Sequence, residues 1–489
     1  MSINRLWPAQ LANTCFCWMA IAGALLGSLL ATGSAAGGEL QVGFAEADIT
    51  PDPKTQTVWI AGYGTGRKAT GVHDPLSVRV LVLSDGQRKL ALACADVVGL
   101  QYPEVKRIRK QLPDFHYVMV SSTHNHEAPD VIGIWGRTPA HYGVDPNYLK
   151  LIVRRTVEAI RRAEKNMEPV QAFYGTAEAP SLVGDSRLPI ALDPVLRVLV
   201  FRRTKDDSLK GLLVQWNCHP EAMESKNTLL TADFVGYTVD ALKQRYGVPV
   251  AYFTGAVGGL LSTPDKMVDA QGRTWPPGQW EYTRLYGVAV ARLAQKAIAG
   301  AEPLELVPFA VSARPVAVPM TNPRYHLART LGVLRRPGRI WTGDPERLGP
   351  EVGPTDPVKK GQQFAVETEV AALKLGKLWV ACIPGELYPE MIYGQYQDPV
   401  EPNVDFPDAP LEPTVVEIFG NRPFLFIGLA NDEIGYLLPK RQWDIKPPFA
   451  YGRSKPQYGE VNSVGPDAGP IVMNALKRRA QELKKTPAK

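Results

Sequence analysis

Histidine is scarce in this chain, seven among 489 residues, so the positions where it follows an apolar run are the first to weigh for chemistry. His124-Asn125-His126 comes directly after YVMVSS (117–122). In an extended segment residues i and i+2 point to one side, and two imidazoles on one side form a metal-ligand arrangement. His219, in QWNCHPEA, also follows a buried-looking run, GLLVQW; it is either a third ligand or a hydrogen-bonded histidine at a Pro-marked turn. Glu386 repeats the pattern after LWVAC in ACIPGELYPE, as a ligand or as an exposed turn residue. After FLFIG comes GLANDEIGY (428–436), where Tyr436 is the candidate oxygen ligand and Asp432 and Glu433 compete with it. Two His, one Glu and one further oxygen suit Zn²⁺ with a position open for water. Zinc brings the pKa of such a water to about 7, a neighbouring His can move protons, and an Arg can hold a developing oxyanion.

These loops need strands and helices to aim them. Val78–Leu83 and Lys89–Ala95 read as a hairpin across the turn Ser84-Asp85-Gly86. Leu196–Phe201, Gly211–Trp216, Val250–Phe253, Phe364–Lys374, Leu378–Ile383 and Phe424–Leu429 read as further strands. Helical spacing marks Glu104–Leu112, Asn147–Lys165, Asp233–Tyr246, Glu281–Ile298 and Ile471–Leu483. Thr321–Pro357, rich in Pro, Gly and Arg, reads as a long loop or insertion, and Pro402–Pro413, rich in Pro and Asp, as a loop. The expected fold class is α/β: mixed β-sheets flanked by helices.

Composition is that of a globular protein, 45% apolar and 21% charged. Length alone allows about two to four domains or one large α/β unit. The net charge is +6, but Lys106–Lys110 reads as the solvated face of a helix and Lys477–Lys489 as an amphipathic helix end. No basic stripe suits a nucleic acid. Residues 1–36 resemble an export signal: Arg5, an apolar run Cys15–Ala31, then Ser34-Ala35-Ala36. The alternative is an uncleaved membrane anchor, the run being of borderline length at about 17 residues. The expectation is an exported protein, periplasmic or secreted. Cys94, Cys218 and Cys382 sit in apolar contexts and read as small core residues.

The ordered motifs resemble the neutral/alkaline ceramidases from about Phe44 to Leu483. AEADITP resembles the opening strand of that family, GYGTGRKATGVHDPLSVRVLVLSDG its glycine-rich segment, and VSSTHNHEAPD its S-G-T-H-T-H-S-G-P signature. NCHPEA, LLTADFVGY, PGELYPE, NDEIGYLLPKRQW, YGE and GPDAG follow in the family's order. The resemblance implies zinc on His124, His219, Glu386 and Tyr436. His126 would be the proton-handling neighbour, Arg187 in GDSRLP the support of the substrate carbonyl, and Tyr458 the second active-site tyrosine, with Tyr451 as its alternative. The implied reaction is hydrolysis of an N-acyl bond by zinc-activated water, with a ceramide-like sphingolipid the first candidate substrate. The implied layout is a single large catalytic domain at 40–485 without the C-terminal β-sandwich that the family carries.

Three departures matter. In the family's G-D-[VL]-S-P-N element the Asp becomes Gly259, and the Ser column falls on Leu261 or Ser262. Asn125 and Glu127 replace Thr and Ser, so Glu127 is expected beside the metal as a general base or an amine-binding group. An apolar slot with a rim for peripheral membrane contact is expected to draw on Ile132, Ile134 and Trp135, whose other reading is core. Alternative functions are a zinc esterase or lactonase, an N-acyl hydrolase acting on a non-lipid substrate, or a non-catalytic exported binding protein. The last would need a closed zinc sphere.

Overall fold

A computed structural model describes residues 38–485; residues 1–37, which include the expected export signal at 1–36, and the last four residues lie outside the described part. Two mixed sheets face each other, with helices on both outer faces. The first sheet contains β1 (Gln41–Asp48), β2 (Ser77–Ser84), β3 (Lys89–Ala95), β4 (Tyr117–Ser122), β5 (Glu168–Glu178), β6 (Val195–Arg203), β7 (Leu209–Trp216) and β8 (Val250–Thr254), in the order β8-β7-β6-β5-β1-β2-β3-β4. The second is built on β9 (Phe309–Pro319), β10 (Phe364–Leu375), β11 (Leu378–Cys382) and β12 (Phe424–Ile427), in that spatial order.

Strand periodicity explains the layering. On β2, Val78, Val80 and Val82 pack with Ile152 and Ile160 of α2 (Pro146–Lys165), whereas Leu81 and Leu83 pack with Leu373 and Val380 of the opposite sheet. Both faces of β2 are therefore buried, and its sequence reads as a nearly continuous apolar run. α2 starts where Asp145 accepts the Asn147 N–H at 2.8 Å, with Pro146 in its first turn. Cys94 and Cys382 lie between the sheets and Cys218 in the core beside α3 (Asp233–Tyr246) and α4 (Trp280–Ala299); all three are free thiols. Among the described residues no helix is long and apolar enough to cross a membrane.

Within the two large sheets most of the described pairings are antiparallel, but three are parallel: β3 with β4, β7 with β8, and β11 with β12. A parallel pair needs a crossover, which α1 (Tyr102–Lys110) and α3 supply in the first sheet. Loops leaving the carboxyl ends of parallel strands are the usual binding position in α/β sheets. Here those ends carry His124 after β4, His219 after β7, Glu386 after β11 and Tyr436 after β12.

Three expectations are corrected. Thr321–Pro357 is not a plain loop: it holds the helix Pro323–Thr330, started by Asn322 accepting the Arg324 N–H, and a strand at Gly338–Ile340 that pairs with β10. Strands β5 and β9 were not anticipated. β9 contains Pro315 and Pro319 and pairs only with β10, as an edge strand tolerates. Arg109 does not belong to a solvated face. It makes two hydrogen bonds of 2.7 Å to Glu369 of β10, and that carboxylate also accepts from Tyr117, Asn431 and Tyr102 at 2.9, 3.1 and 3.2 Å.

Removing one partner of a buried charge pair costs about 3–5 kcal/mol, because the other charge is left uncompensated. Glu369→Leu is therefore expected to lower stability by about 3 kcal/mol or more, read as a fall in the urea midpoint. An unchanged midpoint would mean that this carboxylate does not tie the two sheets.

Candidate active site

The chain leaves β4 through a turn rather than an extended segment: His124 has φ +67°, in the left-handed region. The argument that i and i+2 share a side in extended backbone therefore does not apply. The imidazoles of His124 and His126 meet, centroids 4.9 Å apart, because the turn is pinned from outside. Asn125 N–H donates to Val97 O and His126 N–H to Pro220 O, at 3.1 and 3.0 Å, and Asn125 Nδ2 donates to Thr231 O at 2.7 Å. Gly62 must be glycine here, since a Cβ would lie 2.4 Å from the His126 ring.

Backbone carbonyls orient two of the rings. His124 Nδ1 donates to Val98 O at 2.6 Å and His219 Nδ1 to Leu261 O at 2.9 Å, which turns each Nε2 inward. Between them sits Glu386, its Oε2 3.0 Å from His219 Nε2 and 3.4 Å from His124 Nε2. Glu386 is aligned with Tyr436 in a two-residue parallel ladder. The loop before Tyr436 is clamped to β4: Asn431 N–H donates to Val120 O at 2.7 Å, and Val120 N–H to Asn431 Oδ1 at 3.1 Å.

Ligand atoms of His124, His126 and His219 lie within 4.8 Å of one another, as do those of His124, Glu386 and Glu433. All five residues are buried. Burial opposes charge on His219, but Glu386 and Glu221 outweigh it and raise the imidazole to about 9. The same balance raises His124, where Glu386 dominates the opposition. Burial, reinforced by His124 and His219, holds His126 well below the ordinary histidine range. Glu386 is pulled down by the two imidazoles against its own desolvation, whereas burial and the charge of Glu386 push Glu433 well up. In this centre protons balance the carboxylates. A divalent ion can take their place, because the inward Nε2 atoms and carboxylate oxygens form a donor set of the kind zinc accepts.

The floor opens into a cavity of about 780 Å³, counting its mouth. Ile132, Ile134, Trp135, Leu334, Val366 and Val464 form apolar wall, and Ile132, Ile134 and Trp135 also pack into the core beside α2, so both readings of these residues hold. Tyr436 and Tyr458 line the cavity edge to face, 5.9 Å apart. Tyr451 does not line it; its hydroxyl donates to Gln397.

Two expected residues stand elsewhere. Arg187 is 1% exposed and absent from the cavity wall. Its guanidinium donates to Glu460 at 2.7 Å and to Gln442 Oε1 and O at 3.0 and 3.1 Å, over the Tyr388 ring. It braces the short helix that carries Tyr458 and is not directed at a substrate carbonyl. Glu127 turns away after the His126 turn and accepts from Arg67 and Asn227 at 3.0 and 2.8 Å. Arg67 in turn holds His126 O and Ala61 O.

Leu261 is fully buried in the core, while Ser262 Oγ donates to Glu221 at 2.5 Å. The other oxygen of Glu221 stands 3.5 Å from His126 Nδ1. Glu221 was missed, and its one signal was its place two residues beyond His219 after the same strand.

Since Arg187 braces rather than binds, Arg187→Ala is expected to cost about 3 kcal/mol with ion stoichiometry unchanged. Elemental analysis beside thermal unfolding checks this; loss of the ion at an unchanged midpoint would return the guanidinium to the site.

No protein-family model matches the chain. A neutral ceramidase of Pseudomonas aeruginosa is 25% identical over 222 residues, 40% of this chain and 32% of that protein. A neutral ceramidase of Drosophila melanogaster is 24% identical over 235 residues, 42% of this chain and 32% of the relative. The match thus spans about a third of the length of these curated relatives. Among solved structures, the Pseudomonas aeruginosa neutral ceramidase superposes with a TM-score of 0.68 at 18% identity, covering 92% of this chain and 75% of that one. A ceramidase complexed with C2 superposes at 0.66, also at 18% identity, covering 91% and 75%. The chain therefore shares the fold of the neutral ceramidases over nine-tenths of its length and is similar to them in sequence over two-fifths.

Proposed function

We propose that the protein is a zinc-dependent amidohydrolase that cleaves the N-acyl bond of a ceramide-like lipid. The observation that carries this is the meeting of His124 Nε2, His219 Nε2 and the Glu386 carboxylate on the floor of a largely apolar cavity. The relatives support it: the curated ones are neutral ceramidases, and one solved neighbour is a ceramidase complexed with C2.

His124, His219 and Glu386 would hold the ion, with Tyr436 beside them. A bound zinc supplies Lewis acidity and an activated water at neutral pH. His126, kept neutral by burial and its imidazole neighbours, is free to take the proton of the attacking water and return it to the leaving amine. Glu221, held by Ser262, places a carboxylate oxygen 3.5 Å from Nδ1 of that ring and would orient it once the ring gains a proton. Burial together with Glu386 and Glu221 pushes the Tyr458 phenol up to about 12, so it stays protonated and can donate to the substrate. The apolar wall takes the acyl chain and excludes water. The same proposal puts the protein outside the cytoplasm, on the composition of residues 1–36.

The first test is release of fatty acid from a short-chain fluorescent ceramide, with and without chelator. Chelator-sensitive release supports the proposal, whereas hydrolysis of matched esters alone would make the protein an esterase. His124→Ala is expected to lose ion and activity together. His126→Ala is expected to keep the ion and lose about 10²-fold or more in turnover; equal ion loss in both would make His126 a ligand. Glu221→Gln is expected to lower turnover about 10–100-fold with the ion retained, and unaltered turnover would remove it from the mechanism.

A further inference from the structure

The cavity floor holds one carboxylate more than this mechanism uses. Glu433 is 8% exposed and lines the cavity. Its Oε1 accepts the Gly435 N–H at 2.6 Å, while its Oε2 is sealed from solvent with no hydrogen-bond partner among the described residues. Arg336, which reaches the Glu433 backbone, is committed elsewhere: it donates to Asp432 at 2.6 and 3.1 Å and to the carbonyls of Glu367 and Glu433 at 3.2 and 3.4 Å. The backbone that carries it is fixed. Asp432 Oδ1 accepts the N–H groups of both Glu433 and Tyr102, and Asn431 is stitched to β4.

We propose that Glu433 ligates the same divalent ion as His124, His219 and Glu386, so that the site is a two-histidine, two-carboxylate centre. The inference rests on the reading that those three residues hold an ion. Its geometric basis is that a Glu433 oxygen, a Glu386 oxygen and a His124 nitrogen all lie within 4.8 Å of one another, the span of donors around one cation. Its energetic basis is that two carboxylates buried side by side repel, and an acceptor sealed without a donor loses its hydration uncompensated. One divalent ion relieves both: two carboxylates and a 2+ charge sum to zero with the imidazoles neutral. Tyr436 is then left as a cavity wall and hydrogen-bond donor. The set is also richer in oxygen than one carboxylate would make it, which moves its preference toward harder divalent ions such as Mn²⁺ and Fe²⁺.

The test is competition for Zn²⁺ with a chromophoric chelator, alongside the visible spectrum of the Co²⁺-loaded protein. Glu433→Gln is expected to weaken Zn²⁺ binding about 100-fold or more, since even outer partners of ligands contribute 10–100-fold, and to alter the Co²⁺ bands. Tyr436→Phe is expected to change affinity less than about 3-fold. Glu433→Asp and Glu433→Asn share one shape, so any misfit is common to both; tighter binding by the Asp variant is the signature of a ligand. Equal binding by that pair, or a Glu433→Gln protein with unchanged affinity and spectrum, would overturn the inference and leave the proposed function standing. A wild-type protein that binds no ion would overturn both.

Discussion

Glu369 is a buried carboxylate with five donors, and the two sheets meet through it. Arg109 reaches it from α1, Tyr117 from the start of β4, and Asn431 from the loop after β12, while Glu369 itself stands on β10. Asn431 then exchanges two hydrogen bonds with Val120, so the loop bearing Glu433 and Tyr436 is registered against the strand bearing His124. A buried charge is tolerable only when it is paired and its remaining lone pairs are filled. This node satisfies both conditions, and in doing so brings residues more than 300 positions apart in sequence, Val120 and Asn431, into register.

Desolvation organises the site as well. Three imidazoles and two carboxylates lie where water is largely excluded, so each group is charged or neutral according to its neighbours rather than its ordinary pKa. His124 adopts a left-handed backbone, as do Leu429 and Asn431 in the facing loop. Such conformations cost of order 1–3 kcal/mol each and persist where surrounding bonds over-determine them. Here those bonds come from the backbones of Val97 and Val98 after β3, Pro220 after β7 and Val120 within β4.

A charged floor beneath an apolar wall is what the proposed ceramide-like substrate, with its polar amide and hydrocarbon arm, would match. Glu127 and Arg187 both leave the floor, and each acts through a neighbour: Glu127 through Arg67, which holds the His126 carbonyl, and Arg187 through Glu460, which anchors the helix of Tyr458. Glu221 and Glu433 come closer than either. The electrostatics of the floor are therefore more acidic than the sequence motifs imply, with three carboxylates around the imidazoles.

The chain's own order of residues determined most of the strands and helices and the rule that chemistry follows strand ends, because alternation and turn residues are local properties. It marked His124, His126, His219 and Glu386 by the same local grammar. It did not separate Tyr436 from Glu433, since both lie in one nine-residue loop after β12, and which side chain faces the histidines depends on how Asn431 and Asp432 are held by distant partners. Nor could it see that Glu127 and Arg187 would find counter-ions at Arg67 and Glu460, because a buried charge takes its direction from the partner nearest in space. Edge strand β9 was hidden by its prolines, and only its pairing with β10 makes it a strand. Local periodicity is written in the sequence, whereas the assignment of charges to partners is settled when the two sheets close on each other and water leaves.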